Sequence, residues 1–431
     1  MAFSLHGVHV PHRKNTATKP VLTLDTPKMV TIPTNMNIGA PAKPIVKVGD
    51  LVKIGTKIAE VGGYVSSPIF ASVSGKVSKI LEGEKCSKIV IESDGLMEYD
   101  ESIKAPVIDS KESLINAIKE SGVVGLGGAG FPTFVKFDGD KKIDELIVNC
   151  AECEPYITSD SYTMRERTDD IKVALETIVK YREVGKIIIG IESNKKAEIL
   201  SMKKMADQID FDIEVRVLPS VYPQGGEKVL IYNTTRKEVP VGKLPIDVGV
   251  VVVNCTTLAV IGEYIKTGKP LTSKCVTVAG GAVKDPHNVI APIGTPVSEL
   301  IDACGGLVTE PKKVIYGGPM MGVTVADINE PILKNSNAVL VLDKKEAKMP
   351  KTTNCIRCGR CATVCPFRLI PAAIQHAYEK KDVEKLKVFS VNACMECGTC
   401  NYVCPANRQL VQTNKLAKAL LKEEGKEEGN E

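Results

Sequence analysis

From 42 to 100 apolar and polar positions alternate in short segments, KPIVKVGD, LVKIGTKIAEVG, PIFASVSGKVSKI and KIVIES, punctuated by Gly or Asp. A period of two broken by turn residues predicts a small β module. The pattern changes at SKESLINAIKES (110–121), where Leu114, Ile115 and Ile118 share one helical face. Ser110 is its expected N-cap, with Ser113 available to it. ELIVNC (145–150) reads as a strand. RLIPAAIQHAYEKKDVEKLKV (368–388) carries no strand signal; Pro371 suits a first helical position, good helix formers follow, and a second helix is expected at 410–424. Residues 1–30 are polar and rich in Pro, Thr and Lys, which predicts an extended, hydrogen-bonded segment. Its His6, His9 and His12 lack the nearby carboxylates or cysteines that would make a metal site the better reading.

Composition narrows the class. A chain of 431 residues suggests three to four domains, and a net charge of +4 implies no nucleic-acid partner. Trp is absent, so platforms for stacking bases are not expected. The longest apolar run, VGVVVV at 248–253, is far short of a membrane span, so no transmembrane segment is expected. The opening MAFSLHGVHVPHRK lacks the apolar centre of a signal peptide. Of the 14 cysteines, Cys86, Cys150, Cys153, Cys255, Cys275 and Cys304 are scattered, as reduced thiols are.

The other eight lie in CIRCGRCATVCP (355–366) and CMECGTCNYVCP (394–405), each C-x2-C-x2-C-x3-C-P. This is the spacing with which two-cluster ferredoxins hold [4Fe–4S] cubanes, the fourth cysteine of each run serving the other cluster. Cluster one is therefore expected on Cys355, Cys358, Cys361 and Cys404, and cluster two on Cys394, Cys397, Cys400 and Cys365. Structural zinc is the rival for C-x2-C, but zinc takes four ligands per ion and does not ask for this doubled register. A disulfide framework conflicts with the absence of a signal peptide.

GVVGLGGAGFPTFVKF (122–137) places four glycines within six residues, Gly125, Gly127, Gly128 and Gly130. Such a loop lets backbone approach a ligand closely and turns N–H groups towards phosphate, although a tight structural turn is the default explanation. The strand that follows ends in AECEPYITSD. Asn149, Glu152 and Glu154 thus stand at a strand's carboxyl end, where open α/β sheets bind ligands.

GGAGFPTFVKF resembles the GGAGFPTGLKW motif of the flavin-bearing, NADH-oxidising subunit of respiratory complex I, and NCAECEP resembles its NADESEP. YPQGGEKVL (222–230) stands where that family has GEET, and VVVNCTTLAVI (251–261) resembles its NNVETLA. TVAGGAVKDPHNVIAPIGTPVSELIDACGG (277–306) with YGGPMMG (316–322) is similar to its small β-grasp domain. VKVGDLVKIGTKIAEV with ASVSGKVSKI resembles lipoyl/biotinyl barrel-sandwich modules. Ala71-Ser72 stands where a carrier would have its modified lysine, so a docking or packing module is expected instead. This order, with two ferredoxin repeats last, closely resembles the RnfC family of membrane ferredoxin:NAD oxidoreductase complexes that couple electron flow to ion pumping.

The resemblance implies a multi-domain α/β chain. Its parts are an N-terminal extension and barrel-sandwich module (1–105), a Rossmann-like flavin/NADH domain (106–268), a β-grasp domain (269–345) and a helical two-cluster ferredoxin domain (346–421); the acidic tail (422–431) lies outside the resemblance and reads as disordered from its charge. It implies non-covalent FMN, two [4Fe–4S] clusters and NAD(H) as substrate. The implied partners are membrane Rnf subunits, including a ferredoxin-like iron–sulfur subunit, with the chain peripheral on the cytoplasmic face of the plasma membrane. Gly127, Gly128 and Gly130 would face the flavin phosphate and ring, Lys136 and Glu227 would lie close to the flavin, and Asn149 and Asn254 would hydrogen-bond it. Phe131 would meet the dinucleotide and Glu154 the nicotinamide side. Leu126 and Ala151 replace an arginine and an aspartate of the complex I version, so contacts there do not transfer. Two alternatives stay open: an NADH-oxidising protein feeding a soluble reductase, and a flavin-free electron relay.

Overall fold

The computed structural model describes residues 6–427, with side chains to 424. The first module is a β-sandwich. One antiparallel sheet runs Met29–Pro33, Lys88–Ser93, Gly75–Leu81 and Leu51–Val52; a smaller one joins Lys43–Pro44, Lys57–Glu60 and Ile69–Phe70. Its alternating residues point as their period predicts, with Val30, Ile32, Ile58, Val77, Ile89 and Ile91 buried between the sheets. Val30 pairs with Ile91 and Ile32 with Ile89, so a strand begins inside the segment read as extension. Where a carrier protein would display its lysine, Ser72 is buried and donates to the Ile293 carbonyl of the next-but-one module at 2.5 Å. The hairpin tip is a packing surface.

The second module is a parallel sheet in the order Ile213–Leu218, Val184–Glu192, Ile143–Cys150, Val250–Asn254. Leu146, Ile147, Val148, Ile188, Ile189, Val251 and Val252 are all buried, as strands covered by helices on both faces require. Helices Thr168–Tyr181 and Cys255–Thr267 pack together, while Glu227–Thr235 packs on Val184–Glu192 and Val250–Asn254. Helix Lys111–Glu120 begins at a reciprocal cap: Ser110 Oγ accepts from Ser113 N (3.2 Å), and Ser113 Oγ accepts from Ser110 N (2.9 Å).

The third module is a six-stranded mixed sheet, and its edge is borrowed. Leu22–Thr23, from the polar N-terminal segment, pairs in parallel with Val289 and Ile290. Farther upstream Val8 bridges Tyr222, so this segment is extended and hydrogen-bonded, but it straps two modules rather than hanging free. Lys334 makes a second internal staple. Fully buried, its ammonium donates to Ser67 Oγ (3.0 Å), Pro68 O (2.6 Å) and Gly122 O (2.8 Å), and burial pushes its pKa down to about 7.

The last module is helical. Short helices Arg360–Thr363 and Thr399–Tyr402 follow the two cysteine loops. Pro371–Glu379, Val383–Val388 and Leu410–Glu427 enclose a core of Leu369, Ile374, Leu386, Val391 and Ala417. Pro371 occupies the first helical turn, where its missing N–H costs nothing. The final helix runs on through 422–427 of the acidic tail; residues 428–431 lie outside those described. Among the described residues no helix is long and apolar enough to cross a membrane.

Candidate redox site

The cysteine spacing expects Cys365 to complete the cluster of the second repeat. One small cavity is lined by Cys394, Cys397 and Cys400 of the second repeat together with Cys365 of the first, walled by Phe367 and Leu369. Burial pushes the Cys400 thiol up, and Cys397, Cys394 and Cys365 push it further. Four thiolates crowded in an apolar pocket would repel one another, so the cradle fits a cationic centre that binds them. Donors reach the sulfurs: Glu396 N and Asn414 Nδ2 lie 3.4 and 3.3 Å from Cys394 Sγ, and Thr399 Oγ1 is 3.4 Å from Cys397 Sγ. Such bonds set a cluster's potential. In the other cradle Cys404 is close enough to raise Cys361, after burial, and Arg357 N lies 3.4 Å from Cys355 Sγ. Among the described residues no three His, Cys, Asp or Glu side chains converge as ligands of a single ion do. A cubane is wider than an ion and does not ask for that.

The cluster-two loop is seated on the α/β sheet. Met395 lies so close to Gly226 that a Cβ there would fall 2.4 Å from its Cε, and Tyr222 Oη donates to Cys397 O at 2.6 Å. Val8 and Val10 of the N-terminal strap close the apolar seam. Gly226 immediately precedes Glu227, so this cradle adjoins the carboxyl edge of the sheet.

The glycine loop lies on that edge. Gly127, Gly128 and Ala129 are exposed. A Cβ on Gly127 would sit 2.6 Å from Asn254 Nδ2, one on Gly128 would meet no protein atom within 4 Å, and Gly130 has φ +75°. The backbone here is bare towards solvent and held from behind, which suits close approach of a ligand. Asn254 supplies the support: Oδ1 caps helix Cys255–Thr267 by accepting from Thr256 N and Thr257 N, and Nδ2 donates to Asp160. Lys136 Nζ is 3.1 Å from Glu227 Oε1 and donates to Val252 O at 2.8 Å. Asn149 Nδ2 donates to Gly225 O (2.9 Å), and Phe131 is half-buried. The structure therefore brings Gly127, Asn254, Lys136, Glu227 and Asn149 to one edge of the sheet.

The two carboxylates of AECEP have other surroundings. Glu152 is a correction to the expectation that it faces a cofactor. It is fully enclosed, with Lys195 Nζ at 2.5 Å, Ser161 Oγ at 3.0 Å and Asp160 N at 2.8 Å. Burial alone would raise its carboxyl, but Lys195 and Lys14 hold it below the usual range. Lys14 also donates to the carbonyls of Glu152, Glu154 and Ile157, tying the strap to this turn. Glu154 accepts from the backbone N–H groups of Met320 (3.1 Å) and Met321 (3.0 Å) in the YGGPMMG loop, so it joins the α/β and β-grasp modules. Burial lifts its pKa to about 7, partly offset by those two donors. Lys14, Lys195, Asp160 and Tyr222 were not singled out from sequence. Their partners are far away in the chain, and no local period marks them.

The family models that match follow the same order: the RnfC barrel sandwich hybrid domain over 3–96, the Nuo51 FMN-binding domain over 118–263, the SLBB domain over 275–324 and a 4Fe-4S dicluster domain over 348–405. Over 424 residues the chain is 44% identical to the RnfC-type subunit of the Na(+)-translocating ferredoxin:NAD(+) oxidoreductase complex of Acetobacterium woodii, covering 96% of this chain and 95% of that one. The chain belongs to the RnfC family. Another RnfC relative, from the proton-translocating ferredoxin:NAD(+) oxidoreductase complex of Clostridium ljungdahlii, is 42% identical over 393 residues, covering 88% of this chain and 85% of its own length. Among solved structures, the crystal structure of an NAD+-reducing [NiFe]-hydrogenase in the H2-reduced state shares the fold (TM-score 0.51, 16% identity, 72% of this chain and 63% of that one). The strap and Tyr222 thus join the segment matched as an FMN-binding domain to the segment matched as a dicluster domain, through Val8, Val10, Met395 and Cys397.

Proposed function

We propose that this chain is the NAD(H)-reacting subunit of an ion-translocating ferredoxin:NAD+ oxidoreductase complex, held by its partners at the cytoplasmic face of the membrane. The observation that carries the reading is the seating of the cluster-two cradle, through Met395 and Tyr222, on the sheet edge that bears the glycine loop. Bound FMN would supply the exchange of one hydride pair for two single electrons, which neither a nicotinamide nor a cubane performs alone.

The chain's own residues would bind and orient. The exposed backbone of Gly127 and Gly128 would receive the FMN phosphate, and Lys136, balanced by Glu227, would lie beside the ring. Asn149, and Asn254 through the glycine loop, would fix the shelf. Phe131 would border the dinucleotide. Glu154, docked on the β-grasp loop, would act from beside the nicotinamide site chiefly as a positioning residue. No side chain is asked to move a proton. Flavin attachment is non-covalent in this reading.

Stripping and refilling tests it. A chain freed of flavin under anaerobic conditions should lose NADH oxidation with an artificial one-electron acceptor, and regain it with FMN but not with riboflavin, which lacks the phosphate. Undiminished NADH oxidation by flavin-free chain would overturn the reading.

A further inference from the structure

Two buried lysines reach out of the third module, and they are not alike. Lys334 gives all three of its N–H groups to acceptors, Ser67 Oγ and the carbonyls of Pro68 and Gly122. Lys274, in strand Ser273–Ala279, is also buried (5% exposed). Among the described residues its ammonium meets one acceptor, Leu126 O at 2.8 Å. An ammonium carries three donors, and burying it with two of them unmet costs free energy that a mere joint between modules does not require.

The acceptor says where that charge is directed. Leu126 opens the glycine loop and is held at both ends: its N–H donates to Thr257 Oγ1 at 3.0 Å, and its carbonyl accepts from Lys274. Leu126 is buried, whereas Gly127, Gly128 and Ala129 are exposed. The Leu126 carbonyl and the Gly127 N–H share one peptide plane, and in a trans peptide they point in opposite directions. With the carbonyl turned inward to Lys274, the Gly127 N–H is turned outward to the bare shelf, where it meets no acceptor among the described residues. A cation on the carbonyl polarises the plane and makes the N–H at its far side a stronger donor.

The loop has no charge of its own to offer, since GVVGLGGAGFPTFV (122–135) contains no basic residue. Lys136, which follows, is paired with Glu227. Asp160, the carboxylate that acts on Lys274, already accepts from Asn254 Nδ2 (2.8 Å) and Thr256 Oγ1 (2.6 Å). Burial pushes the Lys274 pKa down to about 7, and Asp160 offsets part of that. An anion across the Leu126–Gly127 peptide would offset more. We propose that Lys274 is a positioning residue for the flavin phosphate: from behind the loop, through the Leu126–Gly127 peptide, it supplies the positive charge that holds a phosphate monoester at the Gly127 N–H. The proposal rests on the functional reading above and adds the group that selects a phosphorylated flavin.

The test compares FMN with riboflavin, which differ by the phosphate alone. Chain freed of flavin, with its clusters intact, is titrated anaerobically with each, and affinity is read from the quenching of flavin fluorescence. The wild type should prefer FMN. Lys274→Gln keeps a donor for Leu126 O without the charge; it should bind FMN roughly tenfold more weakly and riboflavin as before. Lys274→Met, which removes the donor as well, should lose at least as much of the preference. Thr257→Val loosens the other hold on Leu126 with no change of charge, and should weaken both flavins alike. A Lys274→Gln chain that keeps the full preference for FMN, or a Thr257→Val chain that loses it to the same extent, would overturn the proposal. Phosphorus NMR of FMN bound to the wild type gives an answer even where neither Lys274 variant folds. Free phosphate monoesters titrate at a second pKa of about 6, and the bound phosphate should stay dianionic to about one pH unit lower. A bound phosphate that titrates with the free one would overturn the proposal. A wild-type chain that binds neither flavin would sink the functional reading itself, and this proposal with it.

Discussion

Gly127 and Gly128 are neighbours that lack a side chain for different reasons. At Gly127 the missing Cβ makes room for Asn254, whose amide caps helix Cys255–Thr267 and holds Asp160. At Gly128 the space beyond the backbone is open. The two substitutions should therefore separate. Gly127→Ala pushes Asn254 off its cap and should cost about 1 kcal/mol of stability, seen as a lowered thermal midpoint in flavin-free chain. Gly128→Val should leave that midpoint in place and abolish FMN retention, measured as flavin released per chain. Full flavin in Gly128→Val would remove the loop from the site. At this scale the sequence was informative where a residue's reason is local. The glycine spacing, the Ser110 cap and the eight cysteines could all be read without a fold. Glu152 could not, because its partners Lys14 and Lys195 are 138 and 43 residues away.

Elements were legible to the extent that their pattern had a period. Strand Ile143–Cys150 and helix Lys111–Glu120 stand within a residue or two of the expected limits. The borrowed edge Leu22–Thr23 has no such signal, since two residues carry no period, and its hydrogen bonds come from a strand some 265 residues on. Met29–Pro33 was hidden for a related reason: its apolar pair Val30 and Ile32 begins just as the polar segment ends. The cysteine loops illustrate the opposite case. Their spacing alone implies that each repeat completes the other's cluster, and Cys365 lines one cavity with Cys394, Cys397 and Cys400. Cys365→Ser should thus damage the cluster of the second repeat while sparing that of the first. Electron paramagnetic resonance of the reduced variant checks this; loss confined to the first-repeat cluster would show that ligation is not crossed.

For the whole molecule, the strap, the buried Lys334 and the Glu154 clamp make one unit of modules whose order the sequence shows but whose joints it does not. Joints are made by single long side chains and backbone carbonyls, and nothing in composition distinguishes those lysines from surface ones. The joints matter because they set which cradle meets the sheet and which meets solvent. In the function proposed above, the buried cradle lies beside an FMN reached by NADH, with the exposed cradle beyond it. An anaerobic NADH titration of the purified chain, followed by flavin absorbance and by electron paramagnetic resonance, tests it most directly. The expected result is about eight irons and one FMN per chain, flavin bleached by NADH, and reduced-cluster signals that appear only in flavin-replete protein. Clusters reduced by NADH at the same rate in flavin-free chain, or a flavin that NADH does not bleach, would contradict it.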